Sequence, residues 1–234
     1  MADEIISTNL DEIGDFWGRE VLQFLKPIVE ANNRLEPSPV GSGVIIAFGG
    51  KHYLVTANHV ISAHLDGTAK GAAYTYLPEQ TQILGPILSV NDPFDLALVE
   101  LPTPALRCLT LPRHLALKVR DGELCLFVGL QARPKSWKID SERHTLRPTP
   151  LSYLGMVRNA SQERFGIRFN QKQLRRGGAK WPPVGKLNGI SGSGVFVLRD
   201  DMPALAGIII EYHGMQSEIV STSSLVLWEM LKRI

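Results

Sequence analysis

A long series of short apolar or alternating runs, separated by turn residues, most constrains what this chain can fold into. After the break LEPSPVGSG at 35–43, VIIAF and KHYLVTA flank Gly49-Gly50. That arrangement predicts a β-hairpin with a tight turn. AAYTYL, QILGPILSV, DLALVEL, ELCLFVGL, LSYLGMV, RFGIRF, GVFVLR and ALAGIII follow as further strands. Many short strands with Pro/Gly turns argue for an all-β sandwich or barrel.

Helical patterns sit at the two ends. Leu10, Ile13, Trp17, Val21, Phe24 and Ile28 recur at threes and fours, which predicts a helix over 9–33. Thr8 or Asn9 caps it, and Pro27 ends or kinks it. SSLVLWEMLKRI predicts a closing helix capped by Ser223 or Ser224. Residues 101–122 are poor in strand pattern and form the natural linker between two halves. At 234 residues the chain suits one large domain or two small ones that share a core.

Composition narrows the function classes. A net charge of +2 points globally to neither nucleic acid nor membrane. Of the 25 Lys/Arg and 23 Asp/Glu, thirteen and three fall between 131 and 186, leaving twelve and twenty elsewhere. That basic stretch is a solvated face or a surface for an acidic ligand or partner. It lacks regular aromatics for base stacking, which argues against nucleic acid. Cys108 and Cys125 form no disulfide framework and no metal spacing, so they read as apolar fillers. The N-terminus lacks the basic and apolar regions of a signal peptide, and no run approaches a membrane span. These features lead to an expectation of a cytoplasmic, reducing location. Gly41-Ser42-Gly43 leads into a strand and lacks a third glycine, so it is no dinucleotide fingerprint. No cofactor and no metal are implied.

The chemistry-bearing residues lie far apart in the chain. LNGISGSGVFVL places Ser191 among Gly189, Gly192 and Gly194, just before a strand. His59 follows the strand YLVTA at the point where strand becomes loop. Asp95 directly precedes the apolar run Leu96-Ala97-Leu98-Val99. A carboxylate there is a strand-edge cap, or it takes an imidazole N–H and fixes its tautomer. The order His59, Asp95, Ser191 is that of the chymotrypsin-type triad, not of α/β-hydrolases or subtilisins. Ser193 breaks G-x-S-x-G, and a strand rather than a helix follows, so a nucleophile elbow is excluded.

GSGVIIAFGGKHYLVTANHV, DPFDLALVEL and GISGSG together resemble the three signature segments of trypsin-like, chymotrypsin-fold serine peptidases, nearest the bacterial HtrA-type branch. The resemblance covers about residues 38–215. It implies two six-stranded antiparallel barrels with an active site between them. The expected organisation is an N-terminal helical extension at 1–36, a first barrel at 37–115, a second at 116–221 and a C-terminal helix at 222–234. Ser191 would attack the carbonyl of a protein or peptide substrate, His59 would shuttle the proton, and Asp95 would support the imidazolium. The backbone N–H groups of Gly189 and Ser191 would form the oxyanion hole.

Departures from the family pattern touch specificity and regulation. Ser193 and Gly194 stand where relatives have glycine and proline, and Ser193 is a rival alcohol. Gly185 falls at the floor of the substrate pocket, which gives no support for cleavage after Lys or Arg. Ile210, Glu211 and Tyr212 fall along the substrate backbone. Ile210 stands where many relatives carry a serine that supports the aspartate, and Tyr212 narrows the pocket. No PDZ-length extension follows the protease region, so the resemblance implies a site that is constitutive or switched by an activating partner, as in a bacterial stress or anti-phage system. The competing reading is an inactive binding module that uses the basic 131–186 surface; an esterase is the third.

Overall fold

The computed structural model describes residues 18–31, 37–65, 73–76, 81–83, 87–102, 107–130, 137–140, 145–148, 150–170, 175–176, 179–180, 187, 189–200 and 202–234. The first sheet contains β1 (Leu25–Ala31), β2 (Pro37–Phe48), β3 (Lys51–Ala57), β4 (Ala73–Tyr76), β5 (Thr81–Ile83), β6 (Ile87–Asn91) and β7 (Leu96–Glu100). Its order is β5-β4-β1-β2-β3-β7-β6, and β8 (Leu109–Thr110) adds to β2 in parallel. The expected hairpin is β2–β3: Phe48 pairs with Lys51, and Gly49 and Gly50 take φ of 58° and 80°. Two consecutive positive φ values are what a tight hairpin turn demands and what glycine permits.

The second sheet is a closed barrel. It contains β9 (Leu124–Leu130), β12 (Pro150–Arg158), β13 (Arg164–Arg168), β16 (Gly194–Arg199), β17 (Met202–His213) and β18 (Glu218–Ser223). Their order is β13-β18-β17-β16-β9-β12, and a β12–β13 pairing closes the ring. β10 (Trp137–Asp140) and β11 (Thr145–Pro148) form a separate hairpin, and β14 (Arg175–Arg176) and β15 (Ala179–Lys180) extend from β12. The helices are α1 (Asn58–Leu65) and α2 (Ser224–Leu231). No described helix is long and apolar enough to cross a membrane.

One expectation changes here, and another holds in part. The helix over 9–33 is helical at 18–22 and becomes strand β1 from Leu25, so the extension at 1–36 is not wholly helical. Thr8 and Asn9 lie outside the described residues. Pro27 has no N–H to continue a helix, whereas β2 and β4 supply partners along both edges of β1. Of the expected pair of barrels, one is closed among the described residues and stands beside a second sheet. Among the described residues no pairing joins that sheet's terminal strands β5 and β6.

The period-2 alternation of strands divides the core into an interior for each sheet and a layer between the sheets. Along β9, Cys125 and Phe127 enter the barrel, while Leu126, Val128 and Leu130 join the layer between. Along β3, Tyr53 and Val55 join that same layer, while Leu54 faces the first sheet's interior. Burial on both faces explains why ELCLFVGL and KHYLVTA read as continuous apolar runs. Ser223 Oγ accepts the Leu225 N–H at 3.2 Å and so caps α2, whose Val226, Leu227, Met230 and Leu231 seal the layer between the sheets. Trp228 meets Phe48 edge-on at 5.7 Å. Within the barrel, Phe127, Tyr153, Phe169 and Tyr212 contact one another in series, carrying packing out to the rim of the candidate site.

Candidate active site

β3 ends at Ala57, and α1 begins at once with Asn58 and His59. Val60 and Ile61 are buried in the first sheet's interior, which fixes the start of this helix. Asp95 closes a short 3-10 turn over Asp92–Phe94, in a left-handed conformation (φ 50°, ψ 45°), with its N–H donated to the Asp92 carbonyl. Its own carbonyl accepts the Asn58 N–H at 2.9 Å, and Asn58 Nδ2 donates to Asp92 Oδ1 at 2.8 Å. The turn and the helix start are thus laced together before either functional side chain is considered.

The Asp95 carboxylate holds His59 at two points. Oδ1 accepts the His59 backbone N–H at 2.8 Å, and Oδ2 lies 2.6 Å from Nδ1. An ionised carboxylate only accepts, so Nδ1 carries the proton. In a neutral ring that leaves the Nε2 lone pair free to act as a base. No serine supports Asp95 from position 210: Ile210 is apolar and buried.

Two carbonyls of the Asp95-bearing turn are held from the other sheet. Thr222 Oγ1 donates to the Phe94 carbonyl at 2.5 Å, and Arg164 Nη2 donates to the Pro93 carbonyl. The Arg164 guanidinium also lies over the Phe94 ring, 5.7 Å from its centroid. Arg164 and Thr222 are direct cross-strand partners on β13 and β18, which is why both reach one turn.

Ser191 lies on the turn before β16. Gly189 and Gly192 take φ of 91° and 83° there. The turn is seated on β2. The Ser42 N–H donates to the Ser191 carbonyl at 2.9 Å, and Ser42 Oγ donates to the Gly189 carbonyl at 3.0 Å. Thr56 Oγ1 in turn donates to the Ser42 carbonyl at 2.7 Å. A Cβ on Gly192 would lie 1.8 Å from the Ser42 carbonyl oxygen, so only glycine fits this seat. The Ile190 carbonyl accepts the Ser193 N–H at 3.0 Å. Among the described residues, the N–H groups of Gly189 and Ser191 have no acceptor.

His59, Asp95, Gly189 and Ser191 line one cavity of about 580 Å³, with Ile210, Glu211 and Tyr212 along it and Arg164, Leu187 and Ile190 completing the wall. Every site residue expected from the sequence is here except Gly185, which lies outside the described residues. Among the described residues, no hydrogen bond joins Ser191 Oγ to the His59 ring. The rival alcohol, Ser193, is wholly buried and does not reach the cavity.

Glu211 is paired with His213, Oε2 to Nε2 at 2.9 Å. Hydrogen bonds to Glu211 and then to Gln216 hold the His213 proton above its ordinary range. Burial pushes the Cys125 thiol up to about 12, which removes it as a nucleophile. Sequence reasoning missed Ser42, Thr56, Arg164 and Thr222. Ser42 and Thr56 lay inside one quoted signature segment, but Ser42 meets the Ser191 turn about 150 residues away, and Thr56 acts on that turn only through Ser42.

No family model matches the chain, and no curated protein matches it. Among solved structures, the crystal structure of a thermostable serine protease, AL20, from an extremophilic microorganism is similar, with a TM-score of 0.56 and 13% identity over 90% of this chain and 96% of that chain. At that identity the likeness carries the fold alone. One closed antiparallel barrel beside a second sheet is thus the fold of a serine protease, consistent with a chymotrypsin-like architecture.

Proposed function

We propose that this protein is a serine endopeptidase that cleaves peptide bonds through His59, Asp95 and Ser191. The observation that carries this reading is the two-point hold of Asp95 on His59, in a cavity shared with Ser191 and two backbone N–H groups that have no acceptor among the described residues. Ser191 Oγ attacks the substrate carbonyl as its proton passes to His59 Nε2, forming the Oγ–C bond. The carbonyl oxygen becomes an oxyanion that accepts from the N–H groups of Gly189 and Ser191. The C–N bond then breaks, and His59 returns the proton to the leaving amine. Water, deprotonated by the same ring, hydrolyses the acyl-enzyme. Asp95 stays ionised throughout and stabilises the imidazolium. Ile210, Glu211 and Tyr212 line the path of the substrate.

In the fuller form of this proposal the first sheet is the second barrel of a trypsin-like, HtrA-related bacterial protease acting in the cytoplasm, with activity that an activating partner regulates. The missing Ser191–His59 hydrogen bond favours either such regulation or the second reading, an inactive binding module on this fold. Hydrogen bonds of this kind often tighten only once substrate is bound. A fluorophosphonate probe separates the readings. Labelling of the wild type but not of Ser191→Ala supports hydrolysis; a wild type that stays unlabelled, with and without candidate partners, supports the binding module.

A further inference from the structure

The two carboxylates that line the cavity already have hydrogen-bond partners. Asp95 is closed on His59 at 2.6 Å, and Glu211 on His213 at 2.9 Å. Arg164 is different: its partners among the described residues are the Pro93 carbonyl and the Phe94 ring, neither of which carries a charge. Among the described residues of the cavity wall, Arg164 is thus a cation that no carboxylate meets.

That cation is also held in place. A carbonyl, a ring and the β13–β18 register fix the guanidinium before any ligand arrives. One of its five N–H donors is spent on Pro93, and the remaining donors suit the fork geometry of a carboxylate. Leu187, Ile190, Ile210 and Tyr212 give the same cavity an apolar wall that fits the methylene stem of a side chain.

Resting on the peptidase reading, we propose that the cavity selects peptides with an aspartate or glutamate close to the scissile bond, and that Arg164 is the residue that reads the carboxylate. An immobilised guanidinium loses little entropy on binding, and an amide isostere leaves its donors poorly met.

The test uses peptide pairs that differ only as Glu against Gln, with the variable residue at each of the four positions before the cleaved bond. For the wild type, kcat/KM is expected to favour the acid at least about tenfold at one position, the discrimination of a charge-assisted hydrogen bond. Arg164→Gln is expected to bring that ratio close to one, while Arg164→Lys keeps several-fold of it. A wild-type ratio near one at every position overturns the proposal, and so does an unchanged ratio in Arg164→Gln. If no peptide is cleaved and no fluorophosphonate labelling occurs, the hydrolase reading fails separately. Acid recognition is then read from fluorescence anisotropy of the same labelled peptides on Ser191→Ala. Tighter binding of the acid member, lost on adding Arg164→Gln, supports it; equal affinities overturn it.

Discussion

Gly192 shows what a missing methyl group decides. Its φ of 83° and the approach of the Ser42 carbonyl leave no volume for a side chain. Gly192→Ala is expected to destabilise the protein by about 3 kcal/mol or more, measured by urea denaturation, because strain and overlap act together. Asp95→Asn tests the other side of the cavity. An amide can donate towards Nδ1, so the ring takes the wrong tautomer. The melting temperature should hardly move, while kcat for a peptide substrate falls by about 10⁴-fold. At this scale much was legible. A serine among glycines, an aspartate at the mouth of an apolar strand and a histidine at a strand end are local patterns. Ser42 was not legible in its role, because its partners are carbonyls about 150 residues away, and backbone acceptors leave no mark in a sequence.

At the scale of elements, the turn that carries Ser191 and the turn that carries Asp95 are each held from the opposite sheet. Ser42→Ala removes the donor to the Gly189 carbonyl and the acceptor that Ser42 Oγ offers to the Leu130 N–H. The expected loss is about 1–3 kcal/mol of stability, with a fall in kcat that exceeds any change in KM, since the candidate oxyanion donors lose their seat. Thr222→Val orphans the Phe94 carbonyl at nearly constant volume, and Thr222→Ser is expected to restore most of the lost stability in the same denaturation assay. Element identity was only partly legible. The β2–β3 hairpin announced itself through Gly49-Gly50. β1 did not, because Val21, Phe24 and Ile28 keep a helical spacing across the point where the chain turns to strand. β18 reads EIVSTS, and its Ser221, Thr222 and Ser223 are buried through contacts that only the tertiary fold supplies.

At the scale of the whole molecule, two sheets share an apolar layer, and an ionic tie joins neighbouring strands of the barrel. Glu123, at the entry to β9, meets Arg199, at the end of β16. Partial burial pushes the Glu123 pKa up, but the Arg199 hydrogen bond, the Arg120 N–H and the two guanidinium charges bring it below its ordinary value of 4.5. A depressed carboxylate stabilises the fold above its unfolded pKa and loses that contribution as pH falls through the folded one. Arg199→Met is thus expected to cost up to about 1 kcal/mol at neutral pH, and the gap from wild type should close on acidification below about pH 4. Ser42 carries the wider consequence. Because the Ser191 loop is moored to the other half, a small parting of the halves would disarm the proposed peptidase site while each half still kept its own interior. Loss of hydrolysis should therefore precede the loss of β-structure seen by circular dichroism in a denaturant series, and neither half made alone should acquire a reactive alcohol.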